Sequence, residues 1–152
     1  MQFNMGNDRK LEIKLDVKRM YASLMSEYAL MSAGKSEDEM PMQYARCEMP
    51  AICEVLFMEE IGTMCSRIGG YVDDCNEDSD GLVSLKMRLP VDLPTEADSM
   101  LRRGMERYLV AAVLGRCLVP VRVSQAEYSA VVQRSRCAMR SLRQILAKVA
   151  TA

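Results

Sequence analysis

The chain has no histidine. This removes the commonest general base, the Ser-His-Asp and Cys-His nucleophile systems and every imidazole-based zinc site. Carboxylates, thiols and guanidinium groups remain for chemistry. Glu59 and Glu60 are adjacent on a predicted helix. Neighbouring helical side chains point about 100° apart, so the two do not converge as an acid–base pair and read as a solvated face. The acidic turn Asp73-Asp74-Cys75-Asn76-Glu77-Asp78-Ser79-Asp80-Gly81 invites comparison with a calcium loop. With Asn76 as position 1, Asp78, Asp80 and Gly81 fall at positions 3, 5 and 6, but position 12 is Met87 where a calcium loop needs Glu. The turn reads as a hairpin tip, and Asp78, Ser79 and Asp80 are its candidate contact with a partner.

Six cysteines lie at 47, 53, 65, 75, 117 and 137, with no C-x-x-C among them. Cys53 and Cys65 fall on the apolar face of a predicted helix and read as reduced, buried thiols acting as small hydrophobes. The glycines form neither a P-loop nor a G-x-G-x-x-G, and Gly69-Gly70 follows a helix where a dinucleotide fingerprint follows a strand. The expectation is therefore no catalytic residue, no cofactor, no metal and no enzymatic activity.

Charge is the most informative pattern. Residues 1–100 carry 10 Lys and Arg against 19 Asp and Glu, a net of −9; residues 101–152 carry 10 against 2, a net of +8, so the overall charge is −1. The basic end culminates in Arg134, Arg136, Arg140, Arg143 and Lys148 on the last predicted helix. Three readings compete. The two parts neutralise each other within one fold; the acidic part of one subunit meets the basic part of the next, a heterologous contact that closes into rings or runs on as filaments; or the arginines neutralise nucleic-acid phosphates. A basic amphipathic helix also suits an anionic membrane, but no aromatic anchor accompanies this one.

These side chains need elements to hold them. Residues 1–10 read as flexible and lack an apolar core of the kind a secretory signal needs. Leu11 to Leu15 alternates, as a short strand or a lead-in turn. Asp16 caps a helix with Val17, Met20, Tyr21, Leu24, Met25 and Tyr28 on one face, running to about Ser32 and stopped by Gly34. Lys35 to Cys47, with Met40, Pro41 and Met42, reads as a polar loop. Pro50 opens a second helix whose apolar face is Ile52, Cys53, Leu56, Phe57, Ile61, Met64, Cys65 and Ile68. Residues 71–89 form a β-hairpin, with Val83, Leu85, Met87 and Leu89 inward and Ser84, Lys86 and Arg88 outward. Thr95 offers the N-cap of a third helix with Ala97, Leu101, Met105, Tyr108, Leu109, Ala112 and Val113 inward. Leu118 to Val123, broken by Pro120, is a connector. Ser124-Gln125-Ala126-Glu127 is a capping box for a basic C-terminal helix over 124–149. Half the 152 residues are apolar (49%), enough for one core, so a single mainly α domain is expected: four helices with a small β-hairpin inserted between the second and third.

Several short runs stand out in this order of elements: Leu89-Pro90 leaving the strand, Met105-Glu106-Arg107-Tyr108-Leu109-Val110 in the third helix, and Glu127-Tyr128 and Leu142-Arg143-Gln144-Ile145-Leu146 in the fourth. Over residues 11–149 the arrangement resembles the small head–tail connector, or neck adaptor, proteins of tailed bacteriophages and prophages. Those proteins usually place a large aromatic after the Tyr-Leu-Val helix; Arg116-Cys117-Leu118 stands there in this chain, which has no Trp. The resemblance implies a non-enzymatic structural subunit of a phage or phage-like particle, assembled as a homo-oligomeric ring by head-to-tail contacts. It implies portal and tail components as partners, non-specific DNA in the lumen and no membrane. The expected location is the virion, and the bacterial host cytoplasm during assembly. Arg134, Arg136, Arg140, Arg143 and Lys148 would then face the next subunit or the DNA channel. The alternative is a sequence-independent DNA-binding or regulatory accessory protein.

Overall fold

The computed structural model describes residues 8–33, 49–78, 81–118 and 123–150, the side chains of 148–150 excepted. The expected stop at Gly34, the polar loop from Lys35 to Cys47, Pro120, Ser79, Asp80 and the Lys148 side chain lie outside the described residues. The order of elements is β1 (Asp8–Asp16), α1 (Val17–Ser32), α2 (Ala51–Ile68), a 3-10 turn (Gly69–Tyr71), β2 (Val72–Glu77), β3 (Leu82–Pro90), α3 (Glu96–Cys117) and α4 (Gln125–Ala150). The fold is α+β and mostly helical.

The expected two-stranded hairpin is corrected to a three-stranded antiparallel sheet in the order β1-β3-β2. Leu11 to Leu15 belongs to a nine-residue strand that begins at Asp8, inside the stretch expected to be flexible. β1 and β3 match inward residues to inward residues: Leu11 opposite Met87, Ile13 opposite Leu85, Leu15 opposite Val83. That match fixes the register, because a slip by one residue would turn each apolar row to the other face. On the outer face Ser84 is covered and donates to the Asp78 carboxylate at 2.9 Å. β2 is an edge strand exposed along nearly its whole length, and its sequence Val-Asp-Asp-Cys-Asn-Glu keeps that edge charged, which discourages unwanted strand pairing.

The helix boundaries follow from capping chemistry. The Asp16 carboxylate accepts from the backbone N–H groups of Lys18 and Arg19 at 3.1 and 3.4 Å. Ser124 and Glu127 close the expected capping box, with Glu127 N–H on Ser124 Oγ at 3.0 Å and Ser124 N–H on Glu127 Oε1 at 3.4 Å. Gly69 takes φ of 52°, a left-handed conformation that ends α2. Thr95 stands at the N-cap position of α3 as expected, but its side chain makes no capping hydrogen bond. Instead the Arg9 guanidinium from β1 grips both Asp98 oxygens at 2.5 and 3.0 Å and the Leu93 carbonyl at 3.2 Å. This ties the first strand to the first turn of α3.

One continuous apolar cluster joins the inner sheet face to all four helices. α3 is the central helix: Leu101, Met105, Leu109, Val113 and Leu114 are fully covered, and Val110, Ala111 and Cys117 are buried on other sides of it. α4 packs against α3 in antiparallel fashion. A Cβ on Gly104 would come within 2.9 Å of Leu142, and one on Gly115 within 3.6 Å of Val131. The missing Cβ at 104 lets the two helices approach closely. Ile52, expected on the apolar face of α2, is instead 40% exposed, beside Val55 at 49%.

Candidate functional site

α4 separates its residues into two faces. Val131, Met139, Leu142 and Leu146 are buried against α3. Arg136, Arg140 and Arg143 are exposed and follow at i, i+4 and i+7, which makes a single row. At 1.5 Å per residue the row is about 10.5 Å long. Among the described residues no carboxylate lies within ion-pair distance of any of the three, and none of them makes a side-chain hydrogen bond.

Arg134 stands apart from the row. It points across to α1 and pairs with Glu27 at 3.0 Å. Thus one of the five cations expected at an interface is engaged inside its own chain, three are unpaired, and the Lys148 side chain lies outside the described residues. At the hairpin end, Asp78 is exposed, with its backbone N–H bonded to the Leu82 carbonyl at 2.7 Å and its side chain holding Ser84. Ser79 and Asp80 lie outside the described residues, and among the described residues Asp78 makes no ion pair with the α4 row.

Two groups of side chains have no clear sequence signal. Glu59 and Glu60, expected as a solvated face, both meet Arg116 of α3, at 2.7 and 3.4 Å. Glu60 also accepts from the Tyr108 hydroxyl at 3.0 Å, and its side chain is only 14% exposed. The solvated-face expectation holds for Glu59, whose side chain stays 54% exposed, and fails for Glu60, which Tyr108 and Arg116 cover. Burial first, and the charge of Glu60 second, push the Tyr108 phenol up to about 12. The second group is thiols. Cys53 on α2 faces Cys117 at the end of α3, and Cys65 on α2 faces Cys75 on β2. All four are free cysteines. Burial pushes Cys117 and Cys65 up to about 12, with the facing thiol adding to the rise. Thiols held protonated are poor nucleophiles and poor metal ligands.

The described residues contain no group of three or more Cys, Asp or Glu side chains arranged to hold a metal ion. Among them no helix is long and apolar enough to cross a membrane. What the surface offers chemically is charge for recognition: a row of guanidinium groups on α4 and a carboxylate-rich region on α2 and β2. Comparison with known protein families, curated proteins and solved structures returned no match.

Proposed function

We propose that the chain is a non-enzymatic assembly subunit that joins copies of itself head to tail into a ring, in the manner of a head–tail connector of a phage or phage-like particle. The observation that carries this reading is the row Arg136, Arg140, Arg143, which has no ion-pair partner among the described residues, while Glu54 and Glu77 elsewhere have none either. A guanidinium forms strong bidentate pairs with carboxylates, so three left unpaired on one stripe are available to another molecule. Opposite charge on separate elements lets one copy's row meet the next copy's acidic surface, and where such contacts are heterologous they close into rings when the rotation permits. Portal and tail components would contact the ring, and DNA would pass through its lumen, in the virion and in the host cytoplasm during assembly.

A second reading rests on the same row. Its regular spacing along one helix also suits phosphates of a nucleic-acid backbone, bound without regard to sequence. Light scattering across a salt series separates the two, because contacts between exposed charges weaken as the screening length shortens. The connector reading predicts a mass several times that of one chain at low salt, falling toward the monomer as salt rises, with closed rings visible by electron microscopy. A strict monomer at low salt, combined with DNA affinity that drops steeply with salt, favours the second reading and overturns the first.

A further inference from the structure

The N-terminal half of α2 carries a shallow groove lined by Ala51, Glu54, Val55, Met58, Glu59 and Glu77. Its composition is unusual for a surface in two ways. Its floor is apolar, and Val55 at its centre is 49% exposed, next to Ile52 at 40%. Its rim is acidic: three of the six lining residues are carboxylates and none is a cation. Glu54 and Glu77 have no ion-pair partner among the described residues, while Glu59 is shared with Arg116. Asp74 extends the acidic edge along β2, while Asp73 is paired with Arg88 of β3 at 2.9 Å.

We infer that this groove receives the α4 row of a second copy of the chain, with Arg136, Arg140 and Arg143 of one copy laid over Val55 and Met58 and pairing with Glu54, Glu59 and Glu77 of the next. The inference rests on the self-assembly reading above and names its two surfaces. The chemistry of the groove selects for arginine. An arginine has an apolar stem and a charged fork, so it can cover a hydrophobic floor while its guanidinium reaches a carboxylate at the margin. An apolar helix would leave the rim carboxylates unpaired, and a phosphate backbone would be repelled by them. Glu54 and Glu59 lie about 7.5 Å apart along the axis of α2, and Arg136 and Arg140 about 6 Å apart along α4, so the two spacings are of similar size. Glu77 adds a third carboxylate from the strand beside the groove.

Two charge-reversed variants test this. Glu54→Arg with Glu77→Arg makes the groove basic; Arg136→Glu with Arg140→Glu makes the row acidic. All four positions lie at the surface, and thermal unfolding of each variant confirms that the fold is kept. Each variant alone places like charges at every contact, so its association is expected to be at least about tenfold weaker than that of the unaltered chain. An equimolar mixture restores opposite charge at every contact and is expected to regain association, as alternating copies. Val55→Ser, which keeps all charges, is expected to weaken association by a smaller factor. Sedimentation velocity reads each case. If the unaltered chain associates and either reversed variant does so equally well, the contact lies elsewhere; the inference falls and the self-assembly reading stands. If both variants lose association but their mixture does not regain it, the pairing of these two surfaces is wrong. If the chain lacking residues 35–47 associates more strongly and the mixture still fails, the chain's own segment occupies the groove and the inference is overturned. A monomeric unaltered chain overturns both readings together.

Discussion

Arg116 on α3 and Arg140 on α4 are the same residue type on adjacent helices, and they are treated oppositely. Arg116 is held by Glu59 and Glu60, next to a buried Tyr108 hydroxyl. Arg140 is exposed and, among the described residues, has no acidic partner. The difference lies in the supply of carboxylates. Residues 101–152 contain only Glu106 and Glu127 as acids; Arg102 meets Glu106 on its own helix at 3.9 Å, and the other cations there depend on another element passing within reach. α2 passes Arg116 and α1 passes Arg134. Arg136 lines a pocket together with Glu60 and Arg116, yet no described carboxylate comes within ion-pair distance of it, of Arg140 or of Arg143. Of the readings the charge pattern allowed, internal neutralisation accounts for Arg116 and Arg134, and the three arginines of the row have no ion-pair partner among the described residues.

The comparison can be broken at its foundation. Leu142 is fully buried between the two helices, under Gly104, and Leu142→Ala is expected to cost about 3 kcal/mol of folding stability, because it removes packed atoms and leaves a cavity. Denaturant unfolding should show this loss together with loss of both surfaces. A change below about 1 kcal/mol would mean that α4 is not packed on α3 as described.

Alkaline pH should loosen the contacts of α2, with α3 through Cys117 and Tyr108 and with β2 through Cys65, and leave the α4 row charged. Cys117 rises from an ordinary 9.0 to about 12, and Tyr108 from 10.0 to about 12. Groups whose folded values are raised contribute stability that is complete below the unfolded value and is lost as pH climbs toward the folded one. Stability should therefore fall between pH 9 and 12, and Cys117→Ala should flatten the first part of that fall. The arginine row stays charged throughout this range. A flat unfolding profile up to pH 11 would contradict the burial of the thiol.

Smaller substitutions sharpen the contrast. Glu60→Ala removes the acceptor of the Tyr108 hydroxyl and one partner of Arg116, and is expected to cost about 1–2 kcal/mol. Arg134→Ala breaks an exposed pair and should cost less than about 1 kcal/mol. Replacing Arg136, Arg140 and Arg143 together by Ala should change stability by no more than about 0.5 kcal/mol, since the row holds nothing in its own chain. Parallel unfolding curves for the three variants give this ranking directly. A cost for the triple variant equal to that of Glu60→Ala would erase the distinction between the two regions.

How much of this could be read from the residues follows from the range of the forces. Asp16 and the Ser124–Glu127 box act within one helical turn, so their sequence signals are complete, and the alternation from Leu82 to Leu89 likewise declares a half-buried strand. The row Arg136, Arg140, Arg143 is visible because helical spacing is local. Pairing across the chain is not visible in this way. β1 joins β3 across more than sixty residues, and only the register of two apolar rows, seen once both strands are placed, explains it. Thr95 looks like a cap, yet Arg9 arrives from the first strand to hold Asp98 instead. Glu60 carries no signal of its meeting with Tyr108, nor Cys53 of its meeting with Cys117. Ile52 fits the apolar face of α2 by periodicity, yet it is exposed beside Val55, and no described residue covers either.

The central claim is that the α4 row is free in its own chain and engaged by another. Sedimentation velocity at about 0.05 M salt, on the unaltered chain and on a variant with Arg136, Arg140 and Arg143 all replaced by Glu, tests it most directly. The account predicts concentration-dependent assembly of the first and a monomer of unchanged fold for the second. Identical sedimentation of the two proteins would contradict it.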